Sequence, residues 1–202
     1  KFPLTAKSRA LLPDFGDKTA YVLIWTTTPW TIPANLAITL HTDFDYVAVA
    51  AAGEIWILAE GLVESCMSLL GVDQYQVLRQ FRAADLRGLA CHHPFLERES
   101  VLILGRHVTL EAGTGCVHTA PGHGREDYEM ALEYGLEVYS PIDDDGRFTK
   151  EVPYFAGQFV FDANQAVNGK LREVGRLMKE ADIEHSYPHC WRTDKPVLYY
   201  PL

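Results

Sequence analysis

Residues 113–135 combine a histidine, a glycine-rich loop and an acidic helix start, which together can hold a small polar ligand. Pro121 and two nearby glycines break regular structure, and apolar side chains three and four residues apart then predict a helix that ends at Gly135. Asp127 lies in the first turn of that helix, where the helix dipole favours an ionised carboxylate. We therefore expect Asp127 to stay charged at neutral pH and to hold a cationic group, although an acid there also stabilises a helix without any further role.

A run of hydroxyl side chains is the second chemical feature of the chain. The β-branched and aromatic residues 21–25 predict a strand, and three consecutive threonines follow at its end: Thr26, Thr27 and Thr28. Two prolines fix the backbone of the next turn. This arrangement places several hydroxyls and backbone N–H groups at one rim, whereas threonines in a strand by themselves reflect β-propensity.

Neither segment carries a serine or cysteine in a recognisable nucleophile elbow, so water is the expected nucleophile of any hydrolysis. Cys116 and His118 are two residues apart on a predicted strand and therefore share one face. A hydrolase that uses this cysteine-histidine pair is an alternative interpretation. A buried cysteine is, however, commonly a small apolar residue of the core.

The two segments together resemble the editing domain, also called CP1, that is inserted in isoleucyl-tRNA synthetases. In that family a WTTTPWT-type strand end faces a GTGxVHxAPGHGxEDY-type loop, and this chain carries both, at residues 25–31 and 113–128. The editing domains of valyl- and leucyl-tRNA synthetases are similar in plan but have an arginine in the first motif and an AHD-type loop in the second. The resemblance covers nearly the whole chain.

The resemblance implies an aminoacyl-tRNA deacylase that hydrolyses valyl-tRNA(Ile) and valyl-adenylate and excludes isoleucine. It implies that Asp127 pairs with the α-ammonium of the substrate, a charge-assisted contact, and that Thr27 and Thr28 orient the ester, the terminal ribose or the water. His118 closes the pocket for the amino-acid side chain. The resemblance also implies a set of further substrate-binding residues: Trp25, Thr26, Thr31, His123 and Gly115.

Such a domain is needed because isoleucine and valine differ by one methylene, the standard example of a difference worth only about 1–3 kcal/mol in an apolar pocket. A second, smaller pocket that admits valine and hydrolyses its ester adds the missing discrimination. A non-catalytic module that binds RNA or an aminoacyl ligand in the same pocket is the alternative to an enzyme, because loss of water positioning alone leaves such a protein.

Composition limits the partners and cofactors. The formal net charge of −9 argues against broad electrostatic binding of nucleic acid, so any RNA must be held locally. The resemblance implies that this RNA is the 3′ end of tRNA(Ile) that carries valine. The rest of the parent synthetase then holds most of the tRNA. Editing requires no cofactor in this family, and ATP and zinc belong to the synthetic core. The four cysteines lack CxxC spacing, which predicts thiols and no metal site.

The sequence also predicts the elements that position these residues. Short strands are expected near 21–25, 36–40, 46–51, 54–59, 75–81, 101–104 and 115–119, and helices over 61–70, 126–134 and 163–180, the last capped by Asp162. With the resemblance, this spacing predicts a mainly β fold with helices, a β-barrel editing domain decorated by α-helices.

We expect residues 1–185 to form this single domain and residues 186–202 to return toward a synthetic core that the chain lacks. The sequence contains no apolar run of about 18 residues and no signal-peptide pattern. It therefore predicts a cytoplasmic domain without membrane contact.

Overall fold

The computed structural model describes residues 1–12, 15–181 and 188–201, in which nine strands form two sheets. In spatial order, the first sheet contains β1 (Phe2–Pro3), β2 (Ala20–Val22), β5 (Glu54–Ala59), β4 (Asp45–Ala51) and β6 (Tyr75–Arg82). The second sheet contains β7 (Ala90–His92), β8 (Glu99–Gly105), β3 (Ala37–His41) and β9 (Cys116–Thr119). The β2–β5 and β3–β8 pairs are parallel and the other pairs are antiparallel.

Helices fill the connections between strands. The α-helices are α1 (Ala6–Ala10), α2 (Val63–Leu70), α3 (Ala83–Leu86), α4 (Arg125–Tyr134) and α5 (Asn164–Glu173). Short 3₁₀ helices cover Pro29–Ala34, Glu60–Leu62 and Val160–Asp162. No helix within the described ranges is long and apolar enough to cross a membrane. The predicted domain boundary near residue 185 lies outside the described residues.

The predicted mixture of β-sheets and helices is confirmed, but a closed barrel is not found among the described residues. Two isolated bridges link the sheets, one between Leu4 and Cys91 and one between Trp25 and Val117. Strand β2 is three residues long, so its ladder ends before the chain reaches Trp25. The strands therefore pair as two sheets with local links between them.

Each of the seven predicted strands is present, with bounds that differ by at most three residues. Strands β1 and β7 are additional, and their two and three residues are too short to produce an alternating pattern. The predicted ends of α2 and α4 are also confirmed, because Gly71 and Gly135 adopt the left-handed conformation just after each helix.

Helix α5 is shorter than predicted. It ends at Glu173 instead of residue 180, because Gly175 has a φ of +67° and the carbonyl of Leu171 accepts the backbone N–H groups of Arg176 and Leu177. The prediction that Asp162 caps this helix is also wrong, since Asp162 ends a 3₁₀ helix and α5 has no side-chain cap.

Core residues hold strand β9 in place. Its partner β3 pairs antiparallel, with Ile38 opposite His118. The fully buried Tyr46 of β4 donates its hydroxyl to the carbonyl of Gly115 at 2.7 Å and accepts the backbone N–H of His41 at 2.8 Å. A buried hydroxyl that is satisfied twice holds both strand ends in one position. The backbone that carries His118 is therefore rigid.

Candidate functional site

A cleft of about 380 Å³ lies where the 3₁₀ helix 29–34, strand β9 and helix α4 meet. This volume falls within the range of about 300–1,000 Å³ that is common for small-molecule sites. Eight of the nine predicted site residues line it: Trp25, Thr26, Thr27, Thr28, Thr31, His118, His123 and Asp127. The fold thus brings together two segments that lie about 90 residues apart along the chain.

Asp127 is the carboxylate of the cleft. It lies in the first turn of α4, and its Oδ2 accepts the backbone N–H of Ala120 at 2.9 Å. Burial raises the pKa of Asp127 to about 6, and the hydrogen bond from Ala120 offsets this only partly. Desolvation thus raises the pKa of Asp127 above its usual value, an effect that the sequence alone does not predict. The carboxyl is still mostly ionised at neutral pH.

His118 is buried beside the threonine turn. Its Nε2 lies 2.9 Å from Thr31 Oγ1, and the Thr31 hydroxyl also lies 2.8 Å from the carbonyl oxygen of Thr28. Burial, with a smaller contribution from His123, lowers the pKa of His118 to about 4. The imidazole is therefore neutral at physiological pH.

The threonine run lies at the rim, as the sequence predicts. Thr27 is exposed, and its hydroxyl oxygen lies 3.3 Å from that of Thr28. The backbone N–H of Thr28 donates to Thr26 Oγ1 at 3.0 Å, which tightens the turn. Two hydroxyls are thus held next to each other at the opening of the cleft.

Residues behind the turn hold it in place, and sequence reasoning missed them. His93 donates from Nε2 to the carbonyl of Ile32 at 2.9 Å, while its Nδ1 accepts the backbone N–H groups of Phe95 and Leu96. Arg98 donates to the carbonyl of Pro33 at 2.9 Å. No sequence pattern indicates this supporting role of His93, because the adjacent His92 and His93 resemble a pair of metal ligands instead.

Gly115 is the predicted site residue that does not line the cleft. It has a φ of +72°, and a Cβ placed there lies only 2.3 Å from the Cβ of Ala59. Packing of this backbone against Ala59 of β5 therefore requires glycine at position 115. Glycine is required at position 113 for a similar reason, because a Cβ placed there would lie 2.8 Å from the Cβ of Trp25.

Four further residues line the cleft: Trp30, Val117, Pro188 and Tyr199. The rings of Trp30 and His123 make an edge contact with centroids 5.0 Å apart, and the Nδ1 of His123 lies 3.3 Å from the carbonyl oxygen of Tyr199. Burial lowers the pKa of His123 to about 4. Trp30 belongs to the recognised motif, whereas Pro188 and Tyr199 come from a distant segment that no local pattern connects with the site.

The cysteine-histidine alternative is not supported by the geometry. Cys116 is almost completely buried and does not line the cleft. Burial raises the pKa of its thiol well above the usual range, so the nucleophilic thiolate is suppressed. The ring of His118 makes its hydrogen bond with Thr31 instead.

The described part of the chain contains no group of three or more His, Cys, Asp or Glu side chains that could hold a metal ion. The acidic loop at 143–145 forms a turn, in which Asp143 Oδ1 accepts the backbone N–H groups of Asp145 and Arg147. The polar side chains that line the cleft include threonine hydroxyls, two imidazoles and the carboxylate of Asp127.

Sequence comparison relates the chain to aminoacyl-tRNA synthetases. The leucyl-tRNA synthetase editing-domain family matches residues 73–180, more than half of the chain. Isoleucine--tRNA ligase from Geobacter sulfurreducens is 53% identical over 199 residues, which cover 98% of this chain and 22% of the relative. The isoleucine--tRNA ligase from Syntrophomonas wolfei is also 53% identical, with 98% and 21% covered. The chain thus spans about a fifth of the length of these curated relatives.

Solved structures show the same fold at low sequence identity. The crystal structure of GlLeuRS-CP1 aligns with a TM-score of 0.68 at 17% identity and covers 90% of this chain and 98% of that one. The cytosolic leucyl-tRNA synthetase editing domain of P. knowlesi aligns with a TM-score of 0.59 at 12% identity, covering 77% of this chain and 82% of that one. The chain therefore belongs to the aminoacyl-tRNA synthetase editing-domain family, and nearly its whole length is similar to isoleucine--tRNA ligases.

Proposed function

We propose that this domain hydrolyses valine from mischarged tRNA(Ile) and from valyl-adenylate, and that it excludes isoleucine. One observation carries the proposal: a partly buried carboxylate, adjacent threonine hydroxyls and a neutral imidazole line one cleft of a chain that is 53% identical to an isoleucine--tRNA ligase. Each of these groups matches one requirement of ester editing, namely anchoring, water positioning and size selection.

Asp127 anchors the α-ammonium of the substrate. Its Oδ2 already accepts one backbone N–H, and a carboxylate has lone pairs for further donors. Because the carboxyl is largely buried, an arriving ammonium restores a counter-charge that solvent does not supply there. This contact is common to all amino acids, so it confers affinity without selecting the side chain.

Thr27 and Thr28 position the ester and the attacking water. Their hydroxyl oxygens lie 3.3 Å apart at the rim, so both reach one small group in the cleft. A hydroxyl can donate one hydrogen bond and accept others, which suits a water that must also be oriented toward a carbonyl carbon. Water is the nucleophile, since the buried Cys116 thiol does not line the cleft.

His118 limits the size of the amino-acid side chain that enters. Its ring is buried on a rigid strand and is tied to Thr31, so it yields little space to a larger ligand. A rigid wall discriminates by repulsion against the extra methylene of isoleucine. Trp25, Thr26 and His123 complete the walls of the cleft.

The domain acts as part of a longer synthetase. Residues 1–185 form the editing domain and residues 186–202 lead back to the synthetic core, which supplies aminoacylation, its ATP and zinc, and most of the contacts with tRNA. The net charge of −9 fits a domain that grips only the charged 3′ end. Editing itself uses no cofactor, and the enzyme works in the cytoplasm.

Deacylation of mischarged valyl-tRNA(Ile) by this chain tests the proposal. We expect release of valine at a rate far above that of the uncatalysed ester, and loss of that rate in Asp127→Asn. Binding of valyl-tRNA(Ile) without release of valine would instead identify a non-catalytic binding module. Neither binding nor release by the folded chain would contradict both functions.

A further inference from the structure

The hydrogen positions in the contact between Thr31 and His118 follow from which of the neighbouring atoms can donate a hydrogen bond and which can only accept one. The Thr31 hydroxyl lies 2.8 Å from the carbonyl oxygen of Thr28 and 2.9 Å from His118 Nε2. A carbonyl oxygen only accepts, so the short contact with Thr28 uses the single hydrogen of the hydroxyl. Thr31 Oγ1 therefore meets the histidine as an acceptor, and Nε2 must carry a hydrogen.

The rest of the ring is equally constrained. Burial keeps the imidazole neutral at physiological pH, so only one ring nitrogen is protonated. With the hydrogen on Nε2, the lone pair lies on Nδ1. This atom is buried and has no hydrogen-bond partner among the described residues.

From this geometry we infer that Thr31 is a positioning residue that holds His118 in the Nε2–H tautomer and leaves Nδ1 as a neutral hydrogen-bond acceptor. The inference deepens the proposed function and rests on it for its catalytic consequence. It excludes general-base catalysis through Nε2, because that nitrogen has no lone pair to offer. It also gives Thr31 a role that differs from direct contact with the substrate.

The backbone of the turn supports this arrangement. The N–H of Thr31 also donates to the carbonyl of Thr28, at 3.1 Å, so the same peptide oxygen fixes both the backbone and the hydroxyl of Thr31. His93 and Arg98 hold the following carbonyls of the turn from behind. The hydroxyl therefore cannot rotate toward His118 without giving up a hydrogen bond in a buried site.

Long-range proton–nitrogen NMR of the ring nitrogens tests the tautomer without any substrate. In the ¹⁵N-labelled chain near pH 7, we expect the His118 signals, assigned by their loss in His118→Gln, to show a protonated Nε2 and an unprotonated Nδ1. A protonated Nδ1 overturns the inference. Because this spectrum needs no turnover, it remains decisive if the proposed editing activity fails.

Two variants of Thr31 test the consequence for hydrolysis. Thr31→Val keeps the shape and removes the acceptor, and we expect an Nδ1–H signal to appear and the ratio of valyl-tRNA(Ile) to isoleucyl-tRNA(Ile) deacylation to fall roughly fivefold to tenfold, the scale of one hydrogen bond. Thr31→Ser retains a hydroxyl and should recover most of that loss together with the original tautomer. If Thr31→Val folds and changes this ratio while the tautomer stays the same, Thr31 does not act through His118.

Discussion

The carboxylate of Asp127 accepts the backbone N–H of Ala120 at 2.9 Å, so one side chain both closes the loop between β9 and α4 and faces the cleft. The first prediction separates these roles. Asp127→Asn keeps an oxygen that can accept from Ala120 but removes the charge that we propose holds the ammonium. Removing one partner of a buried charge pair costs about 2–5 kcal/mol, so deacylation should fall by roughly thirtyfold to several-thousandfold.

Asp127→Ala should be as inactive as Asp127→Asn. It should also be less stable than Asp127→Asn, by about 1–3 kcal/mol, because the Ala120 N–H loses its acceptor. Glu126→Ala is the matched control, since Glu126 is an exposed acid in the same helical turn. Its rate should stay close to that of the unmodified chain. Near-normal deacylation by folded Asp127→Asn would show that the carboxylate serves only the helix and its loop.

The second prediction concerns the pH dependence of the rate. The pKa of Asp127 is raised to about 6 by burial, and the anchor must be ionised to bind an ammonium. The kcat/KM for deacylation should therefore fall about tenfold for each pH unit below 6. The residual rate of Asp127→Asn, measured over the same range, should lack this step. A wild-type profile that is level down to pH 5 would contradict the assignment.

The same pKa predicts a stability effect with a definite sign. The unfolded carboxyl ionises near its usual value of 3.8 and the folded one near 6, so Asp127 disfavours the folded state increasingly as pH rises between these values. His93, His118 and His123 act in the opposite direction, because desolvation lowers their pKa values. The informative quantity is thus the difference in unfolding free energy between Asp127→Asn and the unmodified chain, which should grow in favour of Asp127→Asn from pH 4 to pH 6.

The third prediction concerns the two rim hydroxyls. If the adjacent Thr27 and Thr28 share the positioning of ester and water, as we propose, each single alanine variant should slow hydrolysis only partly. The double variant should be slower than the product of the two single effects, which a double-mutant cycle measures. If the threonines serve only the backbone, all three variants will lose thermal stability and keep the rate per folded molecule.

The fourth prediction concerns packing around Gly115. In Gly115→Ala, the alanine must adopt a left-handed backbone conformation, which costs about 1–2 kcal/mol. Its Cβ also collides with Ala59, and such overpacking costs about 1–3 kcal/mol. Gly53→Ala is a matched control, because Gly53 has a φ of +80° and no heavy atom within 4 Å of the added Cβ. Chemical denaturation should show that Gly115→Ala is clearly the less stable of the two variants. Equal losses would place the whole effect in the backbone conformation.

The sequence predicts much of this site because its motifs are local. Each motif is a short segment: one contains the threonines of the turn, and the other, residues 113–128, contains the histidine and the carboxylate. The resemblance implies that these two segments meet in the fold. Strands β2–β6, β8 and β9 were predictable for a similar reason, since β-branched and aromatic runs bounded by turn residues depend on local composition.

Features that depend on tertiary packing were not predictable in this way. The raised pKa of Asp127 results from burial in the folded chain, which no local sequence pattern records. The sequence suggests that Gly115 lets the backbone approach a ligand closely. In the structure, glycine is needed at this position because the backbone packs against Ala59 of β5. Tyr199 and Pro188 reach the cleft from the end of the chain, where no periodicity indicates such a contact.

The central claim is that this cleft removes valine and excludes isoleucine through His118. Deacylation of valyl-tRNA(Ile) and isoleucyl-tRNA(Ile), measured side by side for the unmodified chain and His118→Ala, tests it most directly. We predict that the unmodified chain hydrolyses only the valyl ester at an appreciable rate, and that His118→Ala hydrolyses both while keeping most of its activity on valine, because the wall is gone. Resistance of isoleucyl-tRNA(Ile) to His118→Ala, or a loss of about 10²–10⁴ in both rates as expected for a general base, would contradict this account.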